Sequence, residues 1–237
     1  MDNIWQTRPQ PAAEIIHYDA GLKRHMAGIY RTMALGLIIT GTLAYGVAHT
    51  PALAAVLFGT PLKWVAMFAP LAFVMVFSFR IERMTTNGAR AAFYGFSALM
   101  GVSLASLFLV FTGISIAQTF LIAATMFGAI SLWGYTTNRD ISSWGSFLMM
   151  GVIGVVVASI VNIFLGSNML HLIVSLVGVA VFVGLTAWDT QRAKSDYLAF
   201  AGTQAAEKLQ VMSALGLYLN LINLFQLLLT FTGQQRD

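Results

Sequence analysis

The chain has 237 residues, of which 58% are hydrophobic and only 9% are charged. Soluble domains carry about 25% charged residues, so this composition excludes an ordinary water-soluble protein and predicts an integral membrane protein. The sequence contains no cysteine, which excludes disulfide and thiol chemistry, and its formal charge of +4 includes no dense basic run that would predict a nucleic-acid partner.

The first 25 residues are polar and contain Pro9 and Pro11. We expect residues 1–25 to form a mobile cytoplasmic tail. No apolar segment lies close to the start of the chain, so a cleaved signal peptide is not expected.

Seven apolar runs follow, each close to the roughly 20 residues that a membrane-spanning helix needs. None alternates as the strands of a membrane barrel do. Residues 26–237 are therefore predicted to form an all-α transmembrane domain of seven helices. The predicted spans are Ile29–Ala48, Leu62–Phe79, Ala91–Phe111, Ile116–Tyr135, Trp144–Leu165, Leu170–Asp189 and Val211–Phe231.

The cations predict how the helices cross the membrane. With seven spans, eleven of the thirteen lysines and arginines fall on one side, and only Lys63 and Arg236 fall on the other. Cytoplasmic loops carry the excess of basic residues, so we expect the N-terminus in the cytoplasm and the C-terminus outside. The short loops favour the bacterial cytoplasmic (inner) membrane, with an organelle membrane as the alternative.

Small residues recur at four-residue intervals within several spans, and such positions let helix backbones approach closely in lipid. The predicted close contacts are at Gly28, Thr32, Gly36 and Thr40 in the first span, Gly101 with Ala105 in the third, and Gly154 with Ala158 in the fifth.

Asp189 is a carboxylate at the end of the apolar sixth span. A charged side chain at membrane depth costs about 2.5–3.5 kcal/mol on insertion scales, so it needs a partner, water or a proton. Each of these three points toward ion or proton handling rather than covalent chemistry.

The last span carries a polar stripe. Ser213, Gly216, Asn220 and Asn223 share one helical face. The stripe either forms hydrogen bonds between helices or lines a conduction route. If the sixth helix continues past Asp189, for example through Lys194, the Asn220 amide is expected to donate a hydrogen bond to the Asp189 carboxylate.

Arg80 lies at the end of the second span, on the same side of the membrane as Asp189, and is a second candidate partner for it. The alternative is that Arg80 extends to the phosphate headgroups of the bilayer.

No enzyme, metal or cofactor motif accompanies these residues. The four histidines, His17, His25, His49 and His171, do not show metal-ligand spacing. Neither a nucleophile elbow nor a phosphate-binding loop occurs, so no catalytic residue, cofactor or metal is expected.

Four segments resemble the Bax inhibitor family, the transmembrane Bax-inhibitor-motif proteins. They are GLTAWDTQ at Gly184–Gln191, LYLNLINLFQLLL at Leu217–Leu229, YGFSALMGVSLASLFLVFTG at Tyr94–Gly113 and FLMMGVIG at Phe147–Gly154. The resemblance spans about Gly21 to Leu229 and implies seven helices, six of them packed around the last.

The resemblance also implies a function, because members of this family are described as pH-sensitive calcium leak channels. Two aspartates on the last two helices form their pH sensor, and an arginine on the second helix acts as a latch. Asp189 matches the first aspartate and Arg80 the arginine. The second aspartate is Asn220 here, and the acidic residue in the middle of the second helix is replaced by Ala69 or Pro70.

Two hypotheses follow. The first is a pH-modulated leak for calcium or another cation, with Asp189, Arg80 and Asn220 as sensor and gate, and Asn223, Ser213 and Gly216 lining the pathway. The missing carboxylates predict a weaker or differently tuned pH response.

The second hypothesis is a membrane interaction protein. It would regulate a membrane-bound protease or another complex through its tail, Met1 to about His25, as some bacterial relatives are described.

Overall fold

The structure is a computed structural model that describes residues 12–236, and at 12–19, 82 and 204 it describes the backbone alone. Eight α-helices and one 3-10 turn, Ile81–Arg83, follow one another along this range. The helices are α1 (Ala12–Ala48), α2 (Pro51–Phe58), α3 (Leu62–Arg80), α4 (Thr86–Val110), α5 (Gly113–Thr136), α6 (Trp144–Leu165), α7 (Asn168–Phe200) and α8 (Gln204–Thr232).

The seven predicted spans are confirmed. Within the described residues, every helix except the short α2 is long and apolar enough to cross a membrane. Four of these helices begin at a serine or threonine whose hydroxyl accepts a hydrogen bond from a backbone N–H in the first turn, which satisfies a donor that the helix leaves open. These capping residues are Thr85, Thr112, Ser167 and Thr203.

Two helices extend well beyond the predicted ends. Helix α7 continues to Phe200, past the predicted end at Asp189, because the chain remains helical after its hydropathy falls. Helix α1 begins at Ala12, and Leu22 is buried in the core, so the packed domain starts before residue 26. The remainder of the predicted tail, residues 1–11, lies outside the described residues.

Helix α8 occupies the interior of the bundle. Of its most apolar window, 56% is buried, compared with 6% for α6. Extensive contacts join α8 to α1, α4, α5 and α7, whereas α3 packs mainly on α4, and α6 packs mainly on α7. The extensive packing on α8 thus involves four of the other six spans rather than the six that the resemblance implies.

The periphery presents large apolar side chains outward. Phe164 is 85% exposed, Phe79 81% and Ile163 79%. Exposure of this kind along several helices fits a surface that lies against lipid chains. The end of the bundle that holds the α3–α4, α5–α6 and α7–α8 connections is called the basic end below, since the described arginines and lysines other than Lys63 and Arg236 lie toward it.

The close approaches predicted at small residues are partly confirmed. A Cβ atom added at Gly101 would lie 2.7 Å from the backbone oxygen of Thr40, and one added at Gly36 would lie 2.7 Å from the ring of Phe93. Helices α1 and α4 therefore touch along these positions. The prediction for Gly154 is wrong, because nothing lies within 4 Å of its added Cβ.

Candidate functional site

The Asp189 carboxylate meets the Asn220 amide at the interface of α7 and α8. Asn220 Nδ2 donates a hydrogen bond to Asp189 Oδ2 at 2.6 Å, as the sequence predicts. Asn220 is buried, with 4% of its surface exposed, and Asp189 is partly buried. The amide thus satisfies one carboxylate oxygen at membrane depth without adding a charge.

Glycine makes room for this contact. A Cβ atom added at Gly216, one turn before Asn220, would lie 3.5 Å from Asp189 Oδ2. On the other side of α7, a Cβ added at Gly134 of α5 would lie 2.6 Å from the backbone oxygen of Ala187. Helix α7 is therefore held closely between α5 and α8 at the level of the carboxylate.

Thr190, the next residue, binds a different helix. Its hydroxyl lies 2.9 Å from that of Ser131 on α5, which lies 2.6 Å from the hydroxyl of Tyr30 on α1. Thr190 donates its proton to the carbonyl of Thr186 at 2.7 Å. Since each hydroxyl has one proton, Ser131 donates to Thr190 and Tyr30 donates to Ser131. A directed chain of hydroxyls thus joins three helices beside Asp189.

Gln191 binds the connection between α5 and α6. Its Oε1 accepts a hydrogen bond from the backbone N–H of Ile141 at 3.0 Å, and its Nε2 donates to the carbonyl of Arg139 at 2.7 Å. The three residues Asp189, Thr190 and Gln191 therefore connect α7 to α8, to α5 and to the α5–α6 loop. These three contacts explain why an aspartate, a threonine and a glutamine follow one another at this point of α7.

The same loop contacts Trp188, whose indole N–H donates to the carbonyl of Ser142 at 3.2 Å. The backbone N–H of Ser142 donates to Asp140 Oδ1 at 2.9 Å. Hydrogen bonds from Ser142 favour the ionised carboxylate, so the pKa of Asp140 is lowered from its usual value; the side chain of Ser142 contributes more to this than its backbone.

Arg80 does not join the site. Its side chain is exposed at the end of α3, and within the described part of the chain it forms no ion pair or hydrogen bond with Asp189. The predicted Arg80–Asp189 pair is wrong for this structure because α3 packs on α4, away from α7. The cation that acts electrostatically on Asp189 is Arg192, three residues further along α7.

Two cavities lie along the opposite side of α8, where it faces α1 and α4, and the second cavity is also lined by α5. One, of about 910 Å³, opens at the basic end and includes Gln210 in its lining. The other, of about 790 Å³, lies toward the opposite end and includes Ile222 and Phe225. Ser213, Gly216 and Asn223, the predicted pathway residues, line neither cavity, because they lie on other faces of α8.

The protein between the two cavities is tightly packed around Tyr218. This side chain is fully buried, and its ring meets the rings of Phe93 and Phe96 edge-on at 5.5 Å and 5.8 Å between centroids. Its hydroxyl lies 2.6 Å from that of Thr40, which in turn is 2.8 Å from the backbone oxygen of Ser97. This cluster closes the bundle between its two ends.

Sequence reasoning missed both hydroxyl clusters. Ser131 is an isolated serine within a long apolar run, and that isolation was the available signal for the first cluster. The second cluster uses Thr40, which was predicted only as a close-contact position, and the backbone oxygen of Ser97. Polar residues in membrane helices commonly bind across helices. Their partners were not predictable, since Tyr30 and Tyr218 resemble ordinary interfacial or core aromatics in the sequence.

Comparison with known proteins gives a consistent result. A family model described as "Inhibitor of apoptosis-promoting Bax1" matches residues 22–237. Uncharacterized protein RP147 of Rickettsia prowazekii is 44% identical over 220 residues, covering 93% of each chain. Inner membrane protein YbhL of Escherichia coli K12 is 42% identical over 225 residues, covering 94% of this chain and 96% of that protein. An uncharacterized protein of Caulobacter vibrioides is 44% identical over 229 residues, 92% of each.

Proposed function

The chain belongs to the Bax inhibitor family of integral membrane proteins, and we propose that it is a pH-modulated leak channel for calcium or another cation. Asp189 is the sensor or gate of this proposal, and Asn220 is its hydrogen-bond partner. The observation that carries the proposal is a carboxylate within a membrane-spanning helix that is bound by a neutral amide and not by a cation.

An ionised carboxylate in this setting is poorly compensated. The amide of Asn220 offers one hydrogen bond, and Arg192 is 58% exposed and lies within 3.8 Å of Asp196 instead. The charge on Asp189 is therefore sensitive to protonation or to a cation that reaches it, and either event changes the contact between α7 and α8. Intramembrane carboxylates of this kind mark ion pathways and proton relays.

The closed cluster around Tyr218 supports a gated route rather than an open pore. The two cavities supply room at both ends of the bundle, and conduction requires the packing of Tyr218 against Phe93 and Phe96 to loosen. Helix α8 carries Tyr218 and Asn220 on different faces. A change at the Asp189–Asn220 contact can therefore move the helix that holds the closed cluster.

The proposal is tested with purified protein in liposomes that contain a calcium dye. Influx is measured between about pH 5 and pH 8 for the wild type and for Asp189→Asn. The wild type is expected to leak calcium in a pH-dependent manner, and the variant is expected to lose the pH dependence.

Asp140→Asn is the control, because Asp140 is an exposed carboxylate at the same end of the bundle whose hydrogen bond is with Ser142 in the α5–α6 loop and not with α8. It is expected to retain the wild-type pH profile. An Asp189→Asn profile identical to that of the wild type, or a wild-type influx equal to that of empty liposomes at every pH, contradicts the proposal.

We also propose that the protein lies in the bacterial inner membrane with its basic end in the cytoplasm. The Escherichia coli relative is named an inner membrane protein, and the asymmetric distribution of arginine and lysine favours this orientation. Since the chain has no cysteine, Arg139→Cys and Lys63→Cys each provide a single thiol. A membrane-impermeant reagent added to intact cells is expected to label the second and not the first, and the reverse result contradicts the orientation.

A further inference from the structure

A crevice at the basic end concentrates positive charge. It has a volume of about 910 Å³ and lies between α1, α4, the end of α7 and the start of α8. Its lining includes Arg24 and Arg31 from α1, Arg90 from α4 and Glu207 from α8. Three guanidinium groups therefore border one space together with a single carboxylate.

No described residue neutralises these arginines. Among the described residues, none of Arg24, Arg31 and Arg90 takes part in an ion pair, and the ion pair that is formed joins Arg192 to Asp196. Arg90 makes one long hydrogen bond, from Nη2 to Gln210 Oε1 at 3.5 Å. Each guanidinium has five N–H donors, so most of the donors in this crevice have no partner within the described chain.

His25 is the second unpartnered group in the crevice. It is 8% exposed, and its Nε2 is buried without a hydrogen-bond partner among the described residues. The imidazole ring packs against the ring of Tyr197 at 5.0 Å between centroids, which holds it in the crevice lining. Buried polar atoms are nearly always hydrogen-bonded, so an orphaned nitrogen here indicates a missing partner.

Gln210 fixes the wall that carries these groups. Its Nε2 donates to the backbone oxygen of His25 at 3.0 Å, and its Oε1 accepts from Arg90. The same amide lies directly over Gly28, where an added Cβ would overlap it. One side chain of α8 therefore contacts the backbone of α1 at His25 and the guanidinium of Arg90 on α4 at the border of this space.

The arrangement favours an anion with several acceptor oxygens. Three arginines repel a metal cation and attract an anion, and the planar guanidinium matches the geometry of phosphate and carboxylate oxygens. The volume exceeds what one small anion fills and is in the range of ligand pockets, about 300–1,000 Å³. A phosphate group with a further substituent fits both the charge and the space.

We propose that this crevice binds a phosphate group, either as free phosphate or as the phosphate of an anionic lipid headgroup. Arg24, Arg31 and Arg90 bind its oxygens, and His25 Nε2 contributes a further hydrogen bond. The proposal is independent of ion leak, because binding is measurable in detergent with no gradient across a membrane.

The experiment measures the Tm of the full-length protein in a neutral detergent. Inorganic phosphate is titrated against chloride at equal ionic strength, and dioctanoyl phosphatidylglycerol is titrated against dioctanoyl phosphatidylcholine. A saturable rise in Tm with phosphate identifies a site for the free anion, and a rise with phosphatidylglycerol alone identifies the headgroup. Either result supports the proposal, and no rise in either titration overturns it.

The double variant Arg31→Gln/Arg90→Gln is expected to bind at least about tenfold more weakly, the loss that corresponds to 1.4 kcal/mol. Arg139→Gln is the matched control, since Arg139 is an exposed arginine at the same end that does not line the crevice. Equal affinities for the wild type and the double variant overturn the proposal.

A measurement on the wild-type side chains removes the dependence on variants that fold poorly. The imidazole NMR signals of His25 are expected to shift with the same midpoint as the rise in Tm. His171, which is exposed at the start of α7 at the other end of the bundle, is expected to remain unchanged. Equal shifts at both histidines indicate a general effect of the anion and contradict a site at the crevice.

Discussion

Two polar clusters lie in the same bundle and are built in opposite ways. At the interface of α7 with α5 and α8, Asp189, Thr190 and Gln191 each bind a partner on a different element. In the crevice at the basic end, Arg31 has no hydrogen-bond or ion-pair partner within the described part of the chain, and His25 Nε2 is buried without one. The first cluster is completed by the fold, and the second is left open by it.

The difference follows from where each cluster lies relative to water. Deep in the bundle, where water is scarce, each polar group needs a partner from the protein. At the interfacial end, solvent or a ligand supplies the partner, so unpaired charges are tolerated there. Substitutions in the first cluster should therefore change stability together with the pH response proposed for Asp189, whereas substitutions in the second should change binding and leave stability nearly unchanged.

The largest effect is expected from Asn220→Asp, which places two carboxylates at the 2.6 Å contact. Below the upper of its two pKa values the pair holds at least one proton, which one carboxyl group donates to the other, and at high pH two negative charges face each other. Two unit charges about 4 Å apart repel by roughly 4 kcal/mol at an effective dielectric constant of 20, which sets the upper scale. Thermal unfolding in detergent at several pH values should show the variant losing stability as pH rises, with a smaller change in the wild type. If the Tm of the variant and the Tm of the wild type changed equally with pH, the side chain at position 220 would not be in contact with Asp189.

Asn220→Leu is the next largest change. It removes the amide donor and leaves the partly buried carboxylate without its hydrogen bond, which should lower the free energy of unfolding by about 1–3 kcal/mol at neutral pH. Asn223→Leu is the matched control, since Asn223 lies one turn away and its amide forms no hydrogen bond within the described residues. Equal destabilisation by the two substitutions would show that the hydrogen bond to Asp189 adds nothing to the free energy of unfolding.

The hydroxyl chain should give a smaller coupling. A double-mutant cycle of Thr190→Val and Ser131→Ala isolates the 2.9 Å hydrogen bond between α7 and α5. Hydrogen bonds between membrane helices average about 0.6 kcal/mol with a maximum near 1.7 kcal/mol, and the coupling energy is expected within that range. Additive effects of the two substitutions would mean that the hydroxyls do not interact in the membrane.

The smallest effect on stability is expected in the crevice. Without phosphate, Arg31→Gln should change the free energy of unfolding by no more than about 0.5 kcal/mol, because the guanidinium has no partner to lose within the described residues. Arg139→Gln provides the comparison at an exposed loop position. A loss of several kcal/mol for Arg31→Gln alone would show that the chain already satisfies this arginine, and the contrast between the two clusters would fail.

Hydropathy was sufficient to predict the seven spans, because each helix must be apolar over the thickness of the bilayer. It was insufficient for the end of α7, since the segment from Thr190 to Phe200 is helical although it is polar. The contact of Asn220 with Asp189 was predictable because both side chains are polar within apolar runs and because their depths agree once α7 is extended.

The sequence did not show which face of each helix is directed at which neighbouring helix. Arg80 was placed at the correct end of the bundle, yet it is exposed on α3 rather than directed at Asp189. Arg31 and Arg90 contributed to the predicted orientation, but their convergence on one crevice depends on how α1 packs against α4. Position along a helix follows from residue number, whereas the neighbour of each face follows from packing.

We propose that protonation of Asp189 controls a cation leak, and one spectroscopic measurement tests this most directly. Infrared difference spectroscopy of the protein in liposomes detects the C=O band of a protonated carboxyl group, and Asp189→Asn identifies the contribution of Asp189. We expect a band that is missing from the variant and whose pH midpoint in the wild type coincides with that of the calcium influx. A leak that changes with pH while this band stays constant would contradict it.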